Sequence, residues 1–155
     1  MSNQSNYTVS EWDLFREIPF LSGLIVVAAS PSGFIGLMKE STAASRMVLE
    51  NMQNSNTELM KVLAEDLRTA YKAPHVEDPD PDAIRRAGLE ACRKLASILR
   101  EKATEEEAQE FKCFIHNLAQ KVAEASKEGG FLGFGGTLVT DEEKSAIDQI
   151  NVALR

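Results

Sequence analysis

Cys113 and His116 stand three residues apart in a stretch with helical patterning, so a thiol and an imidazole would share one helix face about a turn apart. Such a pair could ligate zinc or supply a nucleophile and its base. A tetrahedral zinc site needs four nitrogen or sulfur ligands, and only Cys92 and His75 remain to complete one. Cys92 belongs to an apolar face, whereas Cys113 falls on a polar one. Nucleophilic catalysis needs a third group to orient the base, and no spacing provides it. No Glu precedes either histidine by three residues, so the Glu-x-x-His pairs of di-iron bundles are missing. These residues predict no catalytic group, no cofactor and a non-enzymatic chain.

The acidic clusters have a structural explanation first. Ser or Thr followed three residues later by Glu lets a hydroxyl and a carboxylate satisfy the free amides of a helix N-terminus reciprocally. The pattern occurs at Thr8 to Glu11, Ser55 to Glu58, Thr104 to Glu107 and Thr140 to Glu143, which predicts four helix starts. In an alternative reading, Asp141, Glu142 and Glu143 form a metal-ligand set.

Residues 129 to 136 read "GGFLGFGG", between two helical stretches. Three readings stay open. Phe131, Leu132 and Phe134 pack as a buried loop after a helix end, or stand exposed as a docking site for a protein or membrane surface, or the glycines form an amide nest for an anion. The Gly-Lys-Ser/Thr ending of a P-loop is absent and no strand precedes the segment. Arg86, Arg93 and Arg100 recur every seven residues opposite an apolar face, a second candidate for partner binding.

What must position these residues is a set of helices. The first spans about Glu11 to Ala29, with Leu14, Ile18, Leu21, Ile25 and Ala28 as its stripe and Pro19 as a kink or restart. The second spans about Phe34 to Met52, with Leu37, Ala44, Val48 and Met52 inward. Asp80-Pro81 caps a helix that runs to about Lys102 on Ile84, Gly88, Ala91, Cys92, Leu95, Ile98 and Leu99. The stripe Phe111, Phe114, Ile115, Leu118, Val122 and Ala125 is out of phase with it, so the chain turns near Ala103 into an antiparallel hairpin. The last helix, about Asp141 to Leu154, turns Ile147, Ile150 and Leu154 inward. The fold class is all-α, one bundle of about six helices in 155 residues, with halves at about 8–72 and 81–155 joined by a Pro- and acid-rich linker at 73–80.

"ASPSGFIG" from Ala29 and "ASKEGGFLG" from Ala125 share Ala-Ser, two polar residues, Gly, Phe, a branched aliphatic and Gly, which suggests two duplicated helix-loop-helix units. The second unit, with "LVTDEEKSAIDQI", resembles the tellurite-resistance TerB-like family. Those are all-helical domains with two such units, each typically carrying Ala-Asp-Gly and then Val-Ser/Thr-x-x-Glu. Val139, Thr140 and Glu143 match the second part, while Gly135-Gly136 replace the Asp-Gly and the first unit offers "ASPSG" with Lys39-Glu40. The resemblance implies a stress-associated scaffold or sensor, and the missing Asp would be a metal ligand.

A net charge of −7 argues against phosphate-backbone binding as the main activity, so no nucleic acid partner is expected. The uncharged run Ile18 to Met38 is about long enough for a membrane span, but Pro31 and Gly33 break it. Two cysteines and an N-terminus without a leader predict a cytoplasmic protein. The function expected is a non-catalytic helical scaffold acting through self- or partner-association. The alternatives are a metal- or anion-responsive sensor and a peripheral membrane protein using the glycine loop.

Overall fold

The computed structural model describes residues 3–29, 41–69, 80–125 and 139–155. Among them are six α-helices and no strands. They are α1 (Val9–Ala29), α2 (Ser41–Met52), α3 (Glu58–Thr69), α4 (Pro81–Lys102), α5 (Glu105–Ala125) and α6 (Asp141–Ala153), preceded by a short 3-10 turn at Gln4–Asn6. The glycine segment, the linker before Asp80, and Phe34 and Leu37 of the expected second helix lie outside the described residues.

Helix α1 is the axis of the described bundle: every other described α-helix packs on it, α4 most extensively. Its burial explains its sequence. Trp12, Phe15, Ile18, Pro19, Phe20, Ser22, Gly23, Ile25, Val26 and Val27 are all buried, which leaves no single apolar stripe. The expected stripe is corrected accordingly: Ile18 and Ile25 are in the core, but Leu14, Leu21 and Ala28 are only half-buried. The helix runs through Pro19 as one element, although proline cannot donate to the carbonyl one turn back. One turn on, the Ser22 hydroxyl donates to the Pro19 carbonyl at 2.9 Å and so hides its own polarity.

Helix α5 repeats the plan of α1. Each is 21 residues long and each starts behind a threonine. Phe111, Phe114, Ile115, Leu118, Ala119, Val122 and Ala123 are buried in α5; 96 positions earlier stand Phe15, Ile18, Pro19, Ser22, Gly23, Val26 and Val27, all buried in α1. The helices lie parallel, because Phe15 meets Phe111 near their starts, with ring centroids 5.4 Å apart. Near their ends, a Cβ placed on Gly23 would stand 3.6 Å from Val122. The chain therefore leaves α1 at Ala29 and α5 at Ala125 on one end of the bundle.

Helix α4 runs the other way. Lys102 at its end reaches Glu11 at the start of α1, at 2.7 Å. Gly88 lets its backbone close on α1: a Cβ there would stand 2.6 Å from Ile25 Cδ1 and 3.0 Å from Cγ1. The chain turns at Ala103, whose amide donates to Leu99 O at 3.1 Å, and re-enters helix after Thr104. Helices α4 and α5 lean mainly on α1 and touch each other sparingly. Ala91 and Ile98, expected inward on α4, are half-buried, while Leu89 and Ala96 take core positions. Ile147 and Ile150 of α6 and Leu154, its C-cap, are buried as expected. One hydrophobic cluster draws on residues of both sequence halves.

Candidate interaction surface

Carboxylates outnumber basic groups, and the structure uses most of those nearest the core as caps and staples. Thr8 with Glu11, Thr104 with Glu107, and Thr140 with Glu143 each exchange two hydrogen bonds: the threonine amide donates to the carboxylate, and the glutamate amide donates to the hydroxyl. Glu107 and Glu143 are buried while doing so. Glu11 also accepts from Lys102, and that bond with the Thr8 amide holds its pKa below the ordinary carboxylate value.

The fourth box is not local. Ser55 turns back to donate to Met52 O at 2.7 Å, closing α2. The N-cap of α3 is Thr57, and its carboxylate comes from Glu110 on α5, which accepts from the amides of Asn56 at 2.6 Å and Thr57 at 2.9 Å and from the Thr57 hydroxyl. Burial pushes the Glu110 carboxyl up, but these donors outweigh it and leave the pKa lowered. The far end of α3 is tied similarly. Asp66 accepts from Arg16 at both oxygens and from Trp12 Nε1 at 2.7 Å, and the Arg16 bond is the largest cause of its lowered pKa.

Cys92 is buried, and burial pushes its thiol up to about 12, which suppresses the thiolate that reactivity needs. Cys113 is exposed beside the Gln109 amide, so the two thiols are free and differently placed. His116 is exposed and its Nδ1 meets the Asn151 side chain across α5 and α6. Among the described residues no three His, Cys, Asp or Glu side chains come together in a way that could hold a metal ion. Of the acids considered as ligands, Glu143 is turned into its cap, while Asp141 and Glu142 are exposed.

What remains outside this internal bonding is a charged surface. Helix α4 carries six basic and three acidic residues in a chain whose net charge is −7. Arg86, Arg93 and Arg100 are exposed and none makes an ion pair within 4 Å among the described residues, although Glu90, held mainly by Lys94, also has its pKa lowered by the charge of Arg93. Arg86 leans on Asp82 O at 3.4 Å and Arg100 on the Ser97 hydroxyl at 3.1 Å, both within their own helix. Phe131, Leu132 and Phe134, the other residues expected to bind a partner, lie outside the described residues.

Sequence reading missed the neighbour of this ridge. Helices α4 and α6 begin at the same end, where their first turns and the last turn of α1 line a groove of about 450 Å³ that includes Pro81, Arg85, Asp141 and Ala146. Arg85 reaches Gln149 across them at 3.4 Å. On α6, Asp141, Asp148 and Val152 are exposed, Val152 to 59%. The seven-residue interval from Asp141 to Asp148 was visible in the sequence, but the capping role of the first turn accounted for Asp141 alone.

No protein-family model, no curated protein and no solved structure matches the chain. No described helix is long and apolar enough to cross a membrane.

Proposed function

We propose that this chain is a non-catalytic helical module that works by association, with the arginine ridge of α4 as its docking face. The observation that carries the reading is the contrast between the two signs of charge. Most carboxylates near the core are engaged in caps and interhelical staples, Glu17 excepted, whereas three exposed guanidinium groups on one helix make no ion pair among the described residues. Arginine favours this use, because its planar fork pairs with carboxylates bidentately and stays charged at any working pH. An overall negative chain repels acidic partners everywhere except at such a ridge, so charge selects the face as well as the partner.

The test compares captures from a cell lysate by the wild type and by a variant with Arg86→Glu, Arg93→Glu and Arg100→Glu, at low salt. Proteins held by the wild type and released by the variant are expected. Identical captures with both baits, or none with either from a strictly monomeric protein, would contradict the reading.

A further inference from the structure

We infer that Cys113 is a modification site: a surface thiol, activated by His116, that exchanges with small disulfides and carries the adduct as a mixed disulfide. The inference is independent of the association reading, since neither residue stands on the ridge of α4.

The described residues hold two free thiols in opposite settings. Cys92 of α4 is fully buried, and burial pushes its thiol up to about 12, which closes it to reagents in solution. Cys113 of α5 is exposed. Its sulfur accepts from Gln109 Nε2 at 3.5 Å, one turn before it, and the exposed His116 follows one turn after. Three residues of helix amount to about 4.5 Å of rise and about 60° of rotation, so thiol and imidazole are neighbours on one exposed strip.

What local spacing could not supply is the group that fixes the base. Asn151 of α6 supplies it: His116 Nδ1 stands 3.3 Å from its Oδ1 and 3.0 Å from its Nδ2. The ring is thus held at Nδ1, and Nε2 has no partner among the described residues. With the Nδ1 proton donated to Oδ1, the neutral ring offers the Nε2 lone pair to the thiol. Rotation of the Cys113 side chain away from Gln109 turns its sulfur toward the ring. The charged groups nearest by register are Lys112 beside Cys113, and Asp148 and Arg155 one turn either side of Asn151. None of the three forms an ion pair among the described residues.

The small disulfide is itself the oxidant, so the exchange balances. The Cys113 proton passes to His116 Nε2, and the thiolate attacks one sulfur of the reagent. The reagent's S–S bond breaks as the new one forms, and the departing thiolate takes the proton from the imidazolium. Cys113 is oxidised to a mixed disulfide, and half of the reagent is reduced to a thiol. Cys92 is sealed in the core, so no accessible second thiol among the described residues displaces the adduct, and an external thiol reverses it.

Folded protein incubated with oxidised glutathione at about pH 7 is expected to gain one adduct by intact-mass spectrometry. Peptide mapping should place it at Cys113, with Cys92 remaining a thiol until the chain is unfolded. In His116→Gln the rate should fall about tenfold at about pH 7 and meet the wild-type rate at about pH 10, where a thiol ionises without a base. Asn151→Leu releases the ring and should slow the reaction about threefold, whereas Asn151→Asp still accepts from Nδ1 and should match or exceed the wild-type rate. Helical melts check that each variant is folded. An adduct at Cys92, no adduct on the folded protein, or equal rates for wild type and His116→Gln at every pH would overturn the inference. So would Asn151→Leu and Asn151→Asp reacting alike.

Discussion

Helices α1 and α5 share their length, their threonine cap and seven buried positions at a constant offset, yet one is enclosed and the other keeps a wet face. The difference shows at single positions. Where α5 places the exposed Cys113 and the half-buried Gln120, α1 has the half-buried Glu17 and Leu24, and α1 buries Phe20 and Ile25 where α5 carries the exposed His116 and Lys121. One helical plan therefore serves as an axis or as a wall according to how many neighbours cover it. The contact between the two, Phe15 against Phe111, is where the plans meet.

Breaking that contact should have the largest effect. Phe15→Ala and Phe111→Ala are each expected to cost about 3–5 kcal/mol in denaturant unfolding. The double variant should cost less than the two single losses added together, since each ring is the other's neighbour. Strict additivity would show that the rings do not couple. A smaller loss is expected on the other side of α1. Gly88→Val should cost about 1–3 kcal/mol by forcing Ile25 aside, whereas the same change at exposed Ala87 should be nearly silent. Equal melting shifts at the two positions would contradict the close approach of α4.

The caps sharpen the comparison further. Glu110→Gln removes the carboxylate that α5 lends to α3 and should cost about 1–2 kcal/mol, and hydrogen exchange should rise in α3 while α5 keeps its protection. Loss of protection in α5 instead would place the role of Glu110 in its own helix. Glu110 and Asp66 both have pKa values lowered in the folded state. Their contribution is full above the ordinary carboxylate range near pH 4 and is lost as pH falls through the lowered folded values. The wild type should therefore lose more stability between pH 5 and pH 3, read by thermal melts, than a variant with Glu110→Gln and Asp66→Asn. Glu17 gives the smallest effect, with the opposite sign. Burial, then the charge of Asp13, raises its pKa, so its ionised form opposes folding above the ordinary range and the penalty is relieved as pH falls. Glu17→Gln should stabilise by a few tenths of a kcal/mol at pH 7, and a loss there would assign Glu17 a stabilising contact.

Much of this was legible because it is local. Thr8, Thr104 and Thr140 cap the helices they precede, and Asp80 caps α4 ahead of Pro81, since each motif fits within one turn. The box at Ser55 failed because the cap is Thr57 and its carboxylate, Glu110, stands 53 positions from it in sequence, where no local pattern can find it. The stripe of α1 failed because a helix buried over most of its circumference has no sharp apolar phase to detect. On the surface, the ridge at Arg86, Arg93 and Arg100 was readable as a heptad spacing, but its proximity to Asp148 arises only from the packing of α4 beside α6.

The parallel pairing of α1 with α5 organises all of this, and nuclear Overhauser contacts in an aromatic- and methyl-labelled sample test it most directly. Contacts from the Phe15 ring to the Phe111 ring, together with contacts from Gly23 to the Val122 methyls, are expected. Contacts from Phe15 to Val122 in their place would mean the helices run in opposite directions and would contradict the architecture.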